Sequence, residues 1–123
     1  MTATASSIEG AGFEAGKAFD GNAGTRWASV EGVDPQWVRV DLGTTKSINS
    51  VKLTWEAAYA SSYKIQVSTN GTSWTDVYTT TSGNGGVDQI SFAQTNARYV
   101  RMHGTVRGTA YGYSLFEFEV YGS

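Results

Sequence analysis

Apolar and polar residues alternate with period two along several stretches of the chain, and no stretch carries apolar residues at helical spacing over a useful length. Residues 2–7 alternate Ala with Thr or Ser and predict a first strand. Residues 37–42 place Val38, Val40 and Leu42 on one face and Trp37, Arg39 and Asp41 on the other. Gly43-Thr44-Thr45 predicts a turn, and residues 47–55 a further strand with Val51, Leu53 and Trp55 at period two. Residues 56–62 are too few for a stable helix and predict a loop. Residues 63–69 set Tyr63, Ile65 and Val67 against Lys64, Gln66 and Ser68, and Asn70-Gly71 then predicts a hairpin, with residues 74–80 pairing back. After a Gly-rich loop at 82–86, strands are predicted at 87–92 and at 98–104, where Val100 and Met102 oppose Tyr99, Arg101 and His103. Residues 105–113 form a loop holding Arg107, Tyr111 and Tyr113. The closing strand, 115–121, sets Phe116, Phe118 and Val120 opposite Leu115, Glu117, Glu119 and Tyr121. Short strands between turns predict an all-β fold, an antiparallel two-sheet β-sandwich. No repeat or linker interrupts it, so residues 1–123 are expected to be one module.

Composition narrows the function. Fifteen Gly, one Pro and 13% aromatic residues suit a β domain rich in turns, large enough for its own core. A net charge of −2 argues against a nucleic-acid binder, which would show a basic stripe. No apolar run reaches membrane-spanning length, and no signal-peptide pattern precedes Thr2. The strand-like stretch begins directly after Met1, as expected of a module excised from a longer polypeptide. With no Cys, disulfides are absent and the redox compartment stays open. The only histidine, His103, sits on a predicted strand, so neither a Ser-His-Asp nor a Cys-His nucleophile can be assembled. Glu9 and Glu56 could be imagined as a glycosidase pair, but carboxyls on an open rim lack the burial that raises a catalytic acid.

The stretch from Lys17 to Trp27 holds the densest chemistry. Gly21 and Gly24 let the backbone curl and turn carbonyls toward one point, Asp20 adds a carboxylate, and Thr25 offers a carbonyl and a hydroxyl. Such hard oxygens suit Ca²⁺, which takes about six to eight of them. The same residues also describe a plain Gly-Asn turn with an Asx cap. An EF-hand is excluded, because the loop position that demands glycine is Thr25 and no amphipathic helices flank it.

Several stretches together resemble one family. They are Ala18-Phe19-Asp20-Gly21-Asn22 with Thr25 and Trp27, then Gln36-Trp37-Val38 with Val40-Asp41-Leu42-Gly43. Tyr63, Ile65, Val67-Ser68, Asn70-Gly71 and Trp74 follow, then Ala97-Arg98-Tyr99-Val100-Arg101, and finally Phe116-Glu117-Phe118-Glu119-Val120-Tyr121-Gly122. In order and spacing they resemble discoidin domains, also called coagulation factor 5/8 type C domains, whose bacterial sugar-binding branch is the family-32 carbohydrate-binding modules. Trp55-Glu56-Ala57-Ala58-Tyr59 and Tyr111-Gly112-Tyr113-Ser114-Leu115 more narrowly resemble modules appended to bacterial chitosanases and β-glucanases.

The resemblance implies a jelly-roll sandwich of the galactose-binding-like type and a structural Ca²⁺. Mapped onto this chain, the metal ligands are the Lys17 carbonyl, the Asp20 carboxylate, the Asn22 carbonyl and both oxygens of Thr25, with the Phe116 carbonyl and the Glu117 carboxylate. It implies binding without catalysis, on loops at one end of the sandwich. Those loops supply Glu9, Arg26, Glu31 and Glu56, besides Tyr59, Arg107, Tyr111 and Tyr113. An excess of carboxylates suits a cationic ligand, so chitosan is expected, with Glu9 or Glu31 facing an ammonium and Arg26 and Glu56 fixing ring hydroxyls. The alternatives are a neutral β-1,3-glucan, or the phospholipid or protein ligands of animal discoidin domains. The lack of Cys and the acidic loops depart from the animal pattern, and the lack of a loop histidine departs from galactose-binding members. The implied setting is a secreted bacterial glycoside hydrolase, with the module a tethered monomer. Trp37, Trp55 and Trp74 are expected in core or strand-end packing, and Trp27 bracing the metal loop.

Overall fold

A strand with an apolar residue at every second position has one face to bury, and two such faces bury each other. The computed structural model describes residues 2–22 and 24–122; Met1, Ala23 and Ser123 lie outside the described residues. The described residues form strands β1 (Thr2–Ala5), β2 (Trp27–Ala28), β3 (Gln36–Trp55), β4 (Ala60–Ser68), β5 (Thr75–Thr80), β6 (Val87–Arg107) and β7 (Ser114–Tyr121). Among the described residues one 3-10 turn spans Ala15–Ala18.

All pairings are antiparallel, and two long strands serve both layers. The first half of β3 pairs with β1 on one side and with the second half of β6 on the other, Gln36 opposite Gly104 and Asp41 opposite Tyr99. Its second half pairs with β7, Ser50 opposite Tyr121 and Trp55 opposite Leu115, and with the first half of β6. One layer therefore reads β1–β3–β6–β4–β5 and the other β2–β7–β3–β6.

This corrects the turn expected at Gly43-Thr44-Thr45. Gly43 adopts a positive φ of 88° and the pairing slips between Asp41 and Lys46, but the strand continues into the other layer. A bulge bends a strand without ending it. The strands expected at 87–92 and 98–104 are likewise one strand, β6, which runs on to Arg107 into the stretch read as loop. A second irregularity, between Thr54 and Trp55 opposite β7, changes the inward face of that strand. Leu115 and Phe118 are both buried, although strict alternation put them on opposite faces.

The core follows the alternation elsewhere. Val38, Val40, Val51, Leu53, Ile65, Val100 and Met102 are all fully buried. Trp27 does more than brace a loop: it is the largest fully buried side chain, with its indole N–H donating to the Ser7 carbonyl at 3.1 Å. Trp55 packs in the core edge-on to Tyr63, and both donate to the Asp88 carboxylate. Trp37 and Trp74 are not core residues. They lie half-buried on the outer face, where the Arg101 guanidinium sits 4.1 Å from the Trp74 ring centroid and Arg39 5.6 Å from that of Trp37. Arginines laid over indoles cover apolar surface while staying hydrated at their edges. Arg98 completes this face by gripping Asp41 through Nε at 2.9 Å and Nη2 at 3.1 Å, which holds the Asp41 carboxyl below its usual range.

Gly104 tests how tightly the layers meet at the β3–β6 end. A Cβ there would lie 2.5 Å from Cε1 of Tyr113, whose ring is fully buried. Gly104→Ala is expected to cost about 1–3 kcal/mol through overpacking. The urea midpoint should fall with the slope unchanged; an unchanged midpoint would show that the Tyr113 ring can move aside.

Candidate functional site

One short pairing gathers the candidate residues. β2 lies against the start of β7, Trp27 opposite Leu115 and Ala28 opposite Ser114, and Arg26 immediately precedes it. The Glu9 amide donates to the Ala28 carbonyl at 2.7 Å, which fixes the Glu9 loop on β2. The Glu56 loop leaves β3 and is tied to β7: the Glu56 amide donates to the Ser114 carbonyl at 3.0 Å, and the Ser114 amide to the Ala58 carbonyl at 2.8 Å. The Glu31 loop follows β2 and is tied to residues 111–113, with the Ser29 amide on the Tyr113 carbonyl at 2.9 Å and the Gly32 amide on the Tyr111 carbonyl at 3.4 Å. Glu9, Arg26, Glu31 and Glu56 thereby line one cavity of about 380 Å³, together with Tyr111 and Ser114. That volume is within the usual range for small-ligand clefts.

The cavity is acidic and its charges form no ion pairs, although Glu56 Oε1 accepts from the Ala58 amide at 3.3 Å. The ion pairs among the described residues are Lys64–Asp76, Arg98–Asp41 and Arg107–Asp34, and none involves the four cavity residues. Arg26 is held by Phe13, whose ring centroid lies 4.8 Å from the guanidinium carbon, and its Nε is buried without a partner among the described residues. Three carboxylates around one guanidinium leave negative charge for a ligand to neutralise, and the free Nε–H leaves a donor to be filled.

The remaining loop residues separate by role. Tyr111 stands at the cavity rim and is 57% exposed. Tyr113 is fully buried, and its hydroxyl donates to Asp34. Burial, then the Asp34 carboxylate, push its hydroxyl pKa well above the usual tyrosine value. Arg107 also donates to Asp34, Nε to Oδ2 at 3.0 Å, so it braces the Glu31 loop and does not face the cavity. Tyr59 packs over Gly108, where a Cβ would meet its ring at 2.2 Å, and is not on the cavity. His103 points outward on β6 beside Lys64 and Arg101; burial and then these two cations lower its pKa. Sequence reasoning passed over Asp34 as a brace and Ser114 as a wall residue. The motif Tyr111-Gly112-Tyr113-Ser114 was visible, but Asp34, the partner of the Tyr113 hydroxyl, lies far away in the chain.

Of the metal candidates, Asp20, Asn22, Thr25 and Glu117 come together. The Asn22 amide donates to Asp20 Oδ1 at 3.0 Å, and the Thr25 hydroxyl lies 2.5 Å from Asp20 Oδ2 and 3.1 Å from the Asn22 carbonyl. Glu117 on β7 comes up against Asp20, and its Oε1 is buried with no partner among the described residues. Burial, then the Asp20 charge, raise the Glu117 carboxyl above its usual value. Lys17 lies in the 3-10 turn and Phe116 beside Glu117, and the Phe19 and Phe118 rings, 5.2 Å apart, join loop to strand. Two facing carboxylates, an orphaned carboxylate oxygen and a turned-in carbonyl fit a hard cation. No three His, Cys, Asp or Glu side chains among the described residues converge closely enough to hold a metal ion by themselves, so backbone carbonyls would supply much of the shell.

An antiparallel sandwich with a polar cavity among the loops at one end defines a ligand-binding module of the β class. Residues 2–118 match the F5/8 type C domain, and the chain belongs to that family. It is 70% identical to chitosan-binding module 1 of a chitosanase/glucanase from Paenibacillus sp. IK-5, with a TM-score of 0.97 over 98% of this chain and 94% of that one. It is 58% identical to chitosan-binding module 2 of the same enzyme, solved in complex with chitotriose, with a TM-score of 0.97 over 98% of this chain and 95% of that one. It is 34% identical over 113 residues to the polysaccharide lyase 8 family protein HylA of Enterococcus faecalis. That match takes in 85% of this chain, which spans 8% of the length of this curated relative.

The Asp34 brace is open to a direct check. Tyr113→Phe removes one of its donors and should cost about 1 kcal/mol in chemical denaturation. Unchanged stability would mean that the Arg107 bond and the backbone ties to residues 111–113 hold the Glu31 loop without the Tyr113 hydroxyl.

Proposed function

We propose that the chain is a non-catalytic carbohydrate-binding module that holds glucosamine oligomers, and so chitosan, in the acidic cavity. The carrying observation is the convergence of unpaired Glu9, Glu31 and Glu56 with the braced Arg26 on one cavity. An ammonium-bearing sugar neutralises the carboxylates, and its hydroxyls accept from the guanidinium. The chitosan-binding relatives, one of them with chitotriose bound, support this reading. The likeness to modules of a polysaccharide-degrading enzyme supports a monomeric accessory module of a secreted hydrolase, one that keeps a catalytic domain near its polymer.

We also propose a structural Ca²⁺ held by the Lys17 carbonyl, the Asp20 carboxylate, the Asn22 carbonyl, the Thr25 oxygens, the Phe116 carbonyl and the Glu117 carboxylate. The buried, unpartnered Glu117 Oε1 beside Asp20 supports it. The ion would neutralise two facing carboxylates and tie the loop before Arg26 to β7.

Calorimetry with glucosamine oligomers should give a Kd of roughly 10 μM to 1 mM, the range expected from a few directed hydrogen bonds and exposed charges. Affinity should fall with salt and as rising pH removes the ammonium charge. It should also fall in Glu9→Ala, Arg26→Ala, Glu31→Ala and Glu56→Ala, and N-acetylated oligomers should bind much more weakly. Equal binding of N-acetylated oligomers, or wild-type affinity in all four variants, would make a neutral β-glucan the ligand. For the metal, chelation should lower the Tm, since an ion at about 100 times its Kd adds roughly 2.7 kcal/mol of stability. Glu117→Gln should abolish that response, and a Tm indifferent to both chelator and Ca²⁺ would remove the ion from the account.

A further inference from the structure

Two serines lie in the cavity wall, and the fold uses them differently. Ser29 and Ser114 are 1% and 2% exposed. The Ser29 hydroxyl is committed internally: it accepts from the Tyr113 amide at 2.9 Å and donates to the Val30 carbonyl at 3.2 Å. The Ser114 hydroxyl has no partner among the described residues. A buried hydroxyl without a partner costs stability, so its presence at a cavity wall calls for a physical reason.

The backbone of Ser114 cannot shift to find one. Its amide is bonded to Ala58 and its carbonyl to Glu56, while Ala28 pairs with it from β2. Ser114 is thus fixed between the loop that carries Glu56 and the strand that follows Arg26. The buried, unpartnered Nε of Arg26 borders the same cavity. The exposed carboxylates Glu9 and Glu31 offer negative charge at the rim, whereas the buried Ser114 hydroxyl offers a neutral donor and acceptor and the buried Arg26 Nε–H a directed donor on a cation.

We propose that Ser114 determines specificity by hydrogen-bonding a ring hydroxyl of the bound sugar through Oγ, independently of the charge read by the carboxylates. A sugar hydroxyl both donates and accepts, so it satisfies the serine in either orientation. The inference rests on the carbohydrate reading above but not on the sugar being cationic.

The test compares Ser114→Ala with Ser29→Ala, using a glucosamine trimer and a neutral β-1,3-glucose trimer as probes. Ser114→Ala should weaken binding about three- to tenfold, as the loss of one neutral hydrogen bond implies. The factor should be the same in mildly acidic and mildly alkaline buffer, whereas the effect of the double variant Glu9→Gln/Glu31→Gln should shrink as the ammonium is lost. Without sugar, Ser114→Ala should melt at or above the wild-type Tm, because a buried unpartnered hydroxyl has been removed; Ser29→Ala should melt lower. If Ser114→Ala binds like wild type, or loses stability along with affinity, the assignment is overturned while the chitosan reading stands. If only the neutral trimer binds and Ser114→Ala weakens it, the contact stands and the cationic reading falls. If wild type binds neither probe, both fall.

Discussion

The antiparallel contact between β2 and the start of β7 is the constraint on which the functional end of the molecule depends. It is only two residue pairs long, yet Trp27 makes it firm. Burying an aromatic side chain of this size stabilises by roughly 4–6 kcal/mol as an upper estimate. Arg26 is one residue from that anchor, Glu9 is bonded to the partner of Ser114, and Glu56 is bonded to Ser114 itself. Glu117 is three residues further along the same strand, about 10 Å at strand rise. One strand therefore carries both a wall of the cavity and Glu117, and the loop bearing Asp20 leads directly into Arg26. Disorder in that loop would reach the cavity through the backbone before any side chain moved.

Charge is segregated along the fold. The small net charge of the chain conceals an acidic cavity at one end and an outer sheet face of Arg39, Arg98 and Arg101 laid over aromatic rings. The two regions carry different costs. On the sheet face the guanidiniums lie on aromatic rings, and Arg98 is paired with a carboxylate, so these charges contribute to the covering of apolar surface. In the cavity the three like charges of Glu9, Glu31 and Glu56 outnumber the single cation Arg26 and form no ion pair with it, which opposes folding until a ligand neutralises the excess. Uncompensated charge and orphaned polar atoms in one place are a departure from self-consistency that a binding site explains.

Much of this was legible in the sequence because it is local. Period-two alternation located β3 and β4, and Asn70-Gly71 marked the hairpin, where Asn70 Oδ1 accepts from the Thr72 and Ser73 amides and Ser68 Oγ from the Gly71 amide. The loop residues Glu9, Arg26, Glu31 and Glu56 could be named from the resemblance, although nothing in their spacing brings them to one cavity. The misses are non-local. A Gly-Thr-Thr run reads as a turn, and only the pairing of both halves of β3 with β6 keeps it a strand. Leu115 and Phe118 share the core because β7 carries an extra residue, Phe116, opposite Thr54 and Trp55 of β3, and only the pairing reveals that bulge. Trp37 reads as core until the arginines of two strands are seen to cover it on the outside. Asp34 reads as a solvated loop acid, yet its partners Arg107 and Tyr113 lie over seventy residues away in the chain.

The way the cavity is held also bears on the strength of binding it can support. Each loop that lines it is fixed by backbone hydrogen bonds to β2, β7 or residues 111–113, so little backbone has to be ordered when a ligand arrives. What remains to be ordered is the glutamate side chains, at about 0.5–1.5 kcal/mol each. Exposed charge pairs return only about 0.2–1 kcal/mol apiece, so the rim carboxylates nearly offset their own ordering and contribute selection more than affinity. Net affinity must then come from the directed bonds of Arg26 and the buried wall. On the proposed reading as an accessory module, modest affinity of this kind suffices, because attachment to a catalytic domain would supply the effective concentration that the cavity alone does not.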